Sequence, residues 1–439
     1  MLASSVALGA TALMGCHRTT SARADNARAA GLRPGFVGRD GMQLVLDDAA
    51  YRFVGANLWY AAYLGADAEY GDRARLGREL DRLSALGVTN LRLLASAEEG
   101  PLETSIKPGF RTKTALNESL LQGLDYCLAE LAKRDMKAVL YLTNYWDWSG
   151  GMRTYLWYTD PTNPAQAPAD ASAFYGSQAA LTLYHDYVRQ LVTRVNTVTG
   201  AAYKDDPAIM AWQHCNEPRP GGSAEQIAQN LPAYYAWISS TARLIRGLDP
   251  HHLISLGHEG TIATNGDEAI VAKAHAEIDY VTAHIWPLNW GWVKGKDLAG
   301  TWSDGANKVA SYLQTHERIA RSLNKPLIVE EFGFPRDGEL YDPSAATSFR
   351  QHYYALVYGA VEANAARGGP ICGSNFWAWT GEGRASHPDF RFKAGDRSYT
   401  GDPPHEPQGW YGNLDSDAGI QELIRAHAQQ LARLEAESA

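Results

Sequence analysis

The stretch IMAWQHCNEPRPGG, residues 209–222, begins as a continuous apolar run and ends in an asparagine, a glutamate and two prolines. An unbroken apolar run of this length is typical of a strand that is buried on both faces, as in a parallel sheet. The prolines end such a strand because they have no N–H to donate to a neighbouring strand. The pattern therefore places Asn216 and Glu217 at the carboxyl end of a buried strand.

Seven further apolar runs have the same character, and longer amphipathic segments separate them. One such segment, residues 72–87, places Leu76, Leu80 and Leu83 on one helical face and ends in a glycine. Eight buried strands that alternate with helices predict a single-domain (β/α)₈ barrel in residues 34–439, preceded by a short hairpin around an RDG turn. An open doubly wound sheet is the alternative, but no GxGxxG motif follows the first strand. The seven other runs are YRFVGAN, VTNLRLLA, KAVLYLTN, HLISLGHE, DYVTAHIW, PLIVEEFG and ICGSNFWAW.

Composition narrows the class of protein. The 439 residues are 45% hydrophobic, enough for one large core, and 49 acidic against 40 basic residues give a net charge of −9. The chain has no stripe of basic residues that could neutralise phosphates, so we exclude nucleic acid as a partner. The four cysteines are too scattered for a disulfide framework or a metal knuckle, and there is no HExxH motif. We therefore predict no metal and no cofactor.

The first residues predict export. SSVALGATALMG, residues 4–15, is an apolar run of signal-peptide length, and LMGC, ending at Cys16, resembles the bacterial lipoprotein cleavage box. We interpret residues 1–16 as an export signal and the polar, alanine-rich residues 17–33 as a flexible tether. The protein is thus expected to be secreted, periplasmic or attached to the bacterial envelope through a lipid on Cys16.

Almost all of the predicted strands end in polar or aromatic residues. In a (β/α)₈ barrel, active sites lie at the edge that is formed by the carboxyl ends of the strands. Glu217 and Glu331 end the fourth and seventh strands, and two carboxylates roughly 5 Å apart across a barrel mouth suit retaining glycoside hydrolysis. Either glutamate alone has a second interpretation, as a salt-bridged rim residue. The strand ends are Asn57, Arg92, Asn144, Asn216, Glu217, His258, Glu259, His284, Trp286, Glu331 and Trp377.

Several motifs together resemble glycoside hydrolase family 5, and within it the endo-β-1,4-mannanase branch: AWQHCNEPR, KPLIVEEFG, DYVTAHIWPLNWGW, NLRLL, LYLTNYWDWSGG and LGHEG. The resemblance implies that Glu217, in NEP, is the acid/base and that Glu331, directly before FG, is the nucleophile. Glu330 is the rival for the second role. Because neighbours along a strand point to opposite faces, we expect only one of the two to face substrate and assign Glu330 a structural salt bridge or hydrogen bond.

The resemblance also implies supporting roles, each of which has a structural alternative. Arg92 would keep Glu331 ionised, Asn216 would bind the sugar 2-hydroxyl, and His284 would bind substrate or a catalytic carboxylate. Trp286 stands where many family members have a tyrosine, so an indole N–H must replace the hydroxyl or the contact is absent. Trp377 is expected to stack under the sugar being cleaved, with Trp379 as the alternative.

More distant sugars are expected to meet side chains of the neighbouring loops. The aromatic insertion at residues 145–177, after the third strand, is expected to be the longest of the chain and is interpreted as a binding wall. For each wall residue, ordinary packing is the other interpretation. The predicted wall residues are Trp59, Asn144, Trp146, Glu259 and Trp292.

The leading hypothesis is a retaining endo-acting hydrolase of β-1,4-mannosidic bonds in mannan, galactomannan or glucomannan. Within the same class, the alternatives are an exo-acting mannosidase or mannobiohydrolase, a transglycosylase and a glucan-directed enzyme. A loop that blocks one end of the cleft would favour exo action. From another class, the alternative is a surface lipoprotein that binds glycans without cleaving them.

Overall fold

The computed structural model describes residues 33–160, 162 and 169–438. The predicted export segment, residues 1–16 with Cys16, and the predicted tether up to residue 32 lie outside these residues. Among the described helices, none combines the length and the hydropathy needed to cross a membrane.

The predicted hairpin opens the fold as a small antiparallel sheet. Its strands are β1 (Val37–Asp40), β2 (Gln43–Leu46) and β3 (Ala49–Ala50). Lys137, at the start of a barrel strand, donates to the carbonyl of Gly35 at 2.8 Å. The sheet therefore lies at the amino-terminal end of the barrel strands, away from the edge where chemistry is expected.

All eight predicted barrel strands are present, and they are parallel and buried. Each pairs with its chain neighbours, except that the fifth and sixth strands form no continuous ladder, and the first pairs with the eighth. The fifth and sixth strands are joined by single backbone hydrogen bonds, such as Asp279 N–H to Ile254 O at 2.9 Å. The prediction of a (β/α)₈ barrel is confirmed. The strands are β4 (Phe53–Asn57), β5 (Val88–Leu94), β6 (Lys137–Tyr141), β7 (Ile209–Gln213), β8 (Leu253–Ser255), β9 (Val281–Ile285), β10 (Leu327–Phe332) and β11 (Ile371–Phe376).

Helices surround the barrel. The first long helix, residues 73–85, has the cap, the buried leucine face and the terminal glycine that its sequence pattern predicts. Asp72 caps it by accepting a hydrogen bond from the N–H of Arg75, and its leucines at helical spacing are buried. Gly87 ends it at φ 83°, where a Cβ atom would come within 2.5 Å of Ala428. The α-helices of the described chain are α1 (Ala61–Gly65), α2 (Arg73–Ala85), α3 (Glu118–Ala132), α4 (Gly151–Thr159), α5 (Gln178–Val192), α6 (Ala224–Leu248), α7 (Glu268–Ala274), α8 (Leu298–Leu323), α9 (Ser348–Ala366) and α10 (Ala418–Ser438).

The connection after β11 differs from the sequence expectation. We expected the insertion at residues 145–177 to be the longest, but residues 377–417 form a longer connection between β11 and α10. It contains the short strands β12 (Trp379–Gly381) and β13 (Asn413–Leu414), which pair with each other. This connection has no apolar periodicity, so the sequence pattern did not identify it as an element that reaches the site.

Candidate active site

A cavity of about 420 Å³ opens at the carboxyl ends of β6 to β11. This is the edge at which the sequence predicted the site. The cavity brings together residues from loops that are far apart in the chain. The predicted site residues that line it are Trp146, Asn216, Glu217, Glu259, Trp286, Glu331 and Trp377.

Glu331 is held by a buried arginine. Arg92 Nη1 donates to Glu331 Oε1 at 2.5 Å, and the same guanidinium donates to Asn216 Oδ1 at 2.6 Å and to Gln213 Oε1 at 2.8 Å. These hydrogen bonds fix the position of the Glu331 carboxylate and link it to Asn216 and Gln213 through one guanidinium. The second oxygen of Glu331, Oε2, accepts from Trp286 Nε1 at 3.2 Å. The indole N–H therefore takes the place of the tyrosine hydroxyl, which was one of the two alternatives left by the sequence.

Glu217 follows β7 in a left-handed backbone conformation, φ 51°, which is uncommon for a residue with a Cβ. Its N–H donates to Gly257 O at 2.9 Å, which holds the turn in place. Oε2 accepts from Trp146 Nε1 at 2.5 Å, and His284 Nδ1 lies 2.7 Å from Oε1. Local strain of this kind persists where the surroundings fix the backbone, and it is concentrated at functional sites.

His284 lies between the two carboxylates. Its Nδ1 is 2.7 Å from Glu217 Oε1 and 3.2 Å from Glu331 Oε2. Burial favours the neutral ring, but the charge of Glu331 and the hydrogen bonds to the acidic side chains outweigh it and raise the pKa of His284 well above its usual value. Burial by itself raises the pKa of Glu217, but the hydrogen bond and charge of His284, with help from Arg219 and Trp146, leave that pKa below its usual value.

The structure corrects the reason that we gave for the role of Glu330, and not the role itself. Strand β10 has a bulge: Val329 pairs with Ala283 and Glu331 pairs with His284, which leaves Glu330 as an extra residue. Because the bulge breaks the alternation, both glutamates approach Arg92, with Glu330 Oε2 at 3.9 Å. Glu330 accepts from Gln213 Nε2 at 2.7 Å, as the predicted structural hydrogen bond requires, and only Glu331 of the two lines the cavity.

Trp377 lies where a sugar platform was predicted. It is almost fully buried by the protein, lines the cavity and packs edge-on against Trp286 with ring centroids 5.9 Å apart. Trp379, the alternative platform, is fully buried away from the cavity, and its indole N–H donates to Glu79 of α2 at 2.8 Å. Of these two tryptophans, only Trp377 therefore has a face on the cavity.

Three predicted wall residues lie behind the cavity and not on it. Trp59 is buried, packs edge-on against Trp148 and donates to Gly401 O. Asn144 is also buried, and its Oδ1 accepts from the N–H of Trp146 at 3.0 Å and from Asn216 Nδ2 at 3.1 Å, so it positions two site residues. Trp292 packs behind Trp290 and faces a separate surface depression.

Sequence reasoning missed Arg219, although it follows Glu217 by two residues. Its Nε and Nη2 donate to Glu259 at 2.5 and 2.7 Å, and its guanidinium lies 4.9 Å from the Trp146 ring centroid. The Arg219–Glu259 pair therefore supports the indole that donates to Glu217. The arginine of the NEPR stretch was the available signal.

Glu259 gives a testable dependence of stability on pH. Burial, reinforced by the charge of Glu217, raises the pKa of Glu259 from 4.5 to about 7. The folded protein thus binds this proton more tightly than the unfolded chain, so the stabilisation is complete below pH 4.5 and is lost as pH rises to 7. Between pH 4.5 and 7.5 we expect the free energy of unfolding to fall by about 3 kcal/mol more in the wild type than in Glu259→Gln. Urea unfolding across this range measures the difference, and parallel curves would contradict it.

The two carboxylates are close enough to act on one bond. The ligand atoms of Glu217, His284 and Glu331 all lie within 4.8 Å of one another, so an oxygen of Glu217 lies within that distance of an oxygen of Glu331. Glycosidases that form a covalent intermediate hold their two carboxyl groups about 5 to 5.5 Å apart, whereas inverting enzymes hold them about 6.5 to 9.5 Å apart. The separation fits the first class.

Known proteins match this chain over nearly the whole described domain. A sequence profile for the β-mannosidase-like group of glycoside hydrolase family 5 matches residues 34–436. A putative mannan endo-1,4-β-mannosidase 9 from Oryza sativa subsp. japonica is 31% identical over 372 residues, which cover 81% of this chain and 84% of that protein. A crystal structure of a family 5 mannosidase from Rhizomucor miehei superposes with a TM-score of 0.83 at 31% identity, covering 92% of this chain and 99% of that one.

An endo-1,4-β-mannanase from Rhizomucor miehei shares the fold at 23% identity, with a TM-score of 0.67. Fold, site and relatives together define a barrel enzyme that hydrolyses glycosidic bonds. The chain belongs to glycoside hydrolase family 5, within its β-mannosidase-like group.

Proposed function

We propose that this protein hydrolyses β-1,4-mannosidic bonds of mannan-type glycans with retention of the anomeric configuration. The observation that carries the proposal is the approach of Glu217 and Glu331 to within 4.8 Å in one cavity, with Arg92 bound to Glu331. The substrate class is supported by the names of the rice and Rhizomucor relatives. A further structure of the Rhizomucor mannosidase, in mutant form, is a complex with mannosyl-fructose.

In the proposed first step, Glu331 attacks the anomeric carbon while Glu217 protonates the departing oxygen. Because the pKa of Glu217 is lowered, the proton for this step rests on His284, whose Nδ1 lies 2.7 Å from Glu217 Oε1; it passes to Glu217 and from there to the departing oxygen. In the second step, Glu217 removes a proton from water, which attacks the glycosyl ester and frees Glu331. Trp377 supplies the stacking face for the sugar that is cleaved.

Two positions of cleavage along the glycan chain are candidates, internal bonds and the bond next to the chain end. Internal cleavage is the form expected from the sequence, and it agrees with the names of the plant relatives. Release of terminal sugars is favoured by the structure of the connection after β11. His405 of this connection lines both the catalytic cavity and a neighbouring cavity, as do Trp146 and Trp148. These three side chains thus lie where the two cavities adjoin, and we expect them to narrow the groove that an internal segment of a glycan chain would need.

Hydrolysis of a panel of glycans tests the proposal. We expect mannohexaose and mannan to be hydrolysed at least ten times faster than xylan or carboxymethylcellulose, and proton NMR to detect the β-anomer of the new reducing end first. Product sizing separates the two modes, because terminal action releases mannose from the start whereas internal action releases mixed oligosaccharides. First appearance of the α-anomer would contradict retention, and preferential hydrolysis of xylan or carboxymethylcellulose would contradict the substrate class.

Export and lipid attachment at Cys16 remain part of the proposal and rest on the sequence pattern of residues 1–16 alone.

A further inference from the structure

One tryptophan that the sequence marked as a sugar-binding residue lies outside the catalytic cavity. Trp292 is half-buried and faces a surface depression of about 490 Å³ beside α8. Its two aromatic neighbours, Trp290 and Tyr312, each meet the ring at an interplanar angle of 67°, so neither of them stacks parallel on it. The ring therefore presents apolar surface that a flat, amphipathic ligand can cover.

The loop that carries Trp292 is held in place by its own backbone and by α8. The N–H groups of Trp292 and Val293 both donate to Pro287 O, at 2.8 and 3.2 Å. Gly305 of α8 packs closely on this loop, since a Cβ atom there would lie 2.3 Å from Val293 Cγ1. Because the platform is already fixed, a ligand that stacks on it does not have to order the loop first.

Polar side chains of α8 form the other side of the depression. Asn307, Ser311 and Thr315 follow one another at four-residue spacing, which places them on one helical face, and Lys308 lies beside them. Among the described residues that line the depression, none is acidic. Amide, hydroxyl and ammonium groups can all hydrogen-bond to hydroxyl groups. An aromatic platform with such groups beside it suits a neutral glycan.

The depression adjoins the catalytic cavity through a pair of tryptophans. Trp290 lines the catalytic cavity, and its ring centroid lies 4.8 Å from that of Trp292. Both rings pack against Tyr312, with centroids 5.2 and 5.6 Å apart, and the hydroxyl of Tyr312 donates to Glu259 O at 2.8 Å. The depression is thus outside the cavity but next to it, and a long glycan chain can reach both.

We infer that Trp292 and the polar face of α8 form a surface site for a β-1,4-mannan chain, separate from the catalytic cavity. The identity of the ligand rests on the proposed function. A sugar stacks on Trp292 while Asn307 and Ser311 bind its hydroxyl groups. A polymer that is held at both places dissociates more slowly than one held in the cavity alone, because the second contact forms within the same complex. The site therefore retains the protein on long or insoluble mannan and gives no advantage on short oligosaccharides.

Retention on insoluble mannan tests this site. The measurement uses Glu331→Gln as the parent, so that the polysaccharide stays intact. Adding Trp292→Ala should raise the apparent Kd by roughly 3- to 10-fold, as expected for the loss of one aromatic stacking contact. Tyr235→Ala is the matched control, because it removes another half-buried ring, one that faces Lys273 from α6, and it should leave the Kd unchanged. Equal retention of the Trp292→Ala variant and its parent would overturn the inference.

Ser311→Arg separates the surface site from an indirect effect on Trp290. Ser311 is exposed on α8, and an arginine there can cover the Trp292 ring while both tryptophans stay in place. With Glu331 intact, Trp292→Ala and Ser311→Arg should each lower the initial rate on insoluble mannan by roughly 3- to 10-fold, and kcat/KM on mannotriose should change by less than about twofold. Equal losses on mannan and mannotriose in both variants would overturn the inference, because they would place the effect in the catalytic cavity.

Failure of the proposed function gives a different result. A wild-type protein that hydrolyses no mannan-type substrate, but whose retention on mannan depends on Trp292, would overturn the proposed function and support the surface site. Retention that depends on Trp292 on insoluble xylan and not on mannan would overturn the ligand that we assign to the site.

Discussion

Glu331→Gln is expected to lower turnover of mannohexaose by at least about 10⁴-fold while the protein stays folded. The amide has nearly the shape of the carboxylate and can still accept from Arg92, but it is not a nucleophile and cannot form the glycosyl ester. Initial rates from reducing-sugar release measure the loss, and circular dichroism with a thermal melt checks the fold.

The neighbouring glutamate provides the comparison for this experiment. Glu330 accepts hydrogen bonds from Gln213 and Tyr280 and does not line the cavity, so Glu330→Gln should keep at least 100 times the activity of Glu331→Gln. The bulge in β10 makes this comparison informative, since both carboxylates lie near Arg92. Activity retained in Glu331→Gln and lost in Glu330→Gln would reverse the assignment of the nucleophile.

Glu217→Ala is expected to slow hydrolysis of mannohexaose by roughly 10²- to 10⁴-fold, the usual contribution of general acid–base catalysis. An aryl β-mannoside with an acidic phenol should form the glycosyl ester nearly normally, because its leaving group needs no proton. The second step should then limit the rate and produce a burst of phenol. Stopped-flow absorbance measures the burst.

Sodium azide distinguishes the role of Glu217 from that of Glu331. Azide needs no general base, and the truncated side chain leaves room for it, so it should restore turnover of the aryl substrate in Glu217→Ala and yield the β-mannosyl azide. The wild type with azide is the control and should yield mannose. An α-mannosyl azide from Glu217→Ala would show that this variant had lost the nucleophile, and it would contradict the assignment.

The barrel and the two central carboxylates were predictable because local sequence encodes them. Strands buried on both faces need unbroken apolar runs, and the rim where chemistry occurs follows directly from where those runs end. Glu217 and Glu331 were found in this way, as were the positions of Arg92, Asn216 and His284. The indole of Trp286 also reaches Glu331, which the sequence pattern left as one of two alternatives.

The wall of the site was predicted less well. Trp59 and Trp292 have side chains of the type that stacks on sugars, but Trp59 packs behind Trp148 and Trp292 packs behind Trp290. An aromatic residue near a strand end has the same local pattern whether it faces a cavity or the core. Only the packing of neighbouring loops decides between the two.

The amino-acid sequence alone thus determined the eight strands, the edge that carries the site and the pair of glutamates, because each depends on residues close together in the chain. The tertiary structure alone decided that a bulge directs Glu330 towards Arg92 and that Glu406 joins the catalytic cavity. The bulge depends on the register between neighbouring strands, and the position of Glu406 depends on contacts between distant segments, such as Arg75 with Tyr399. Neither can be predicted from local periodicity in the sequence.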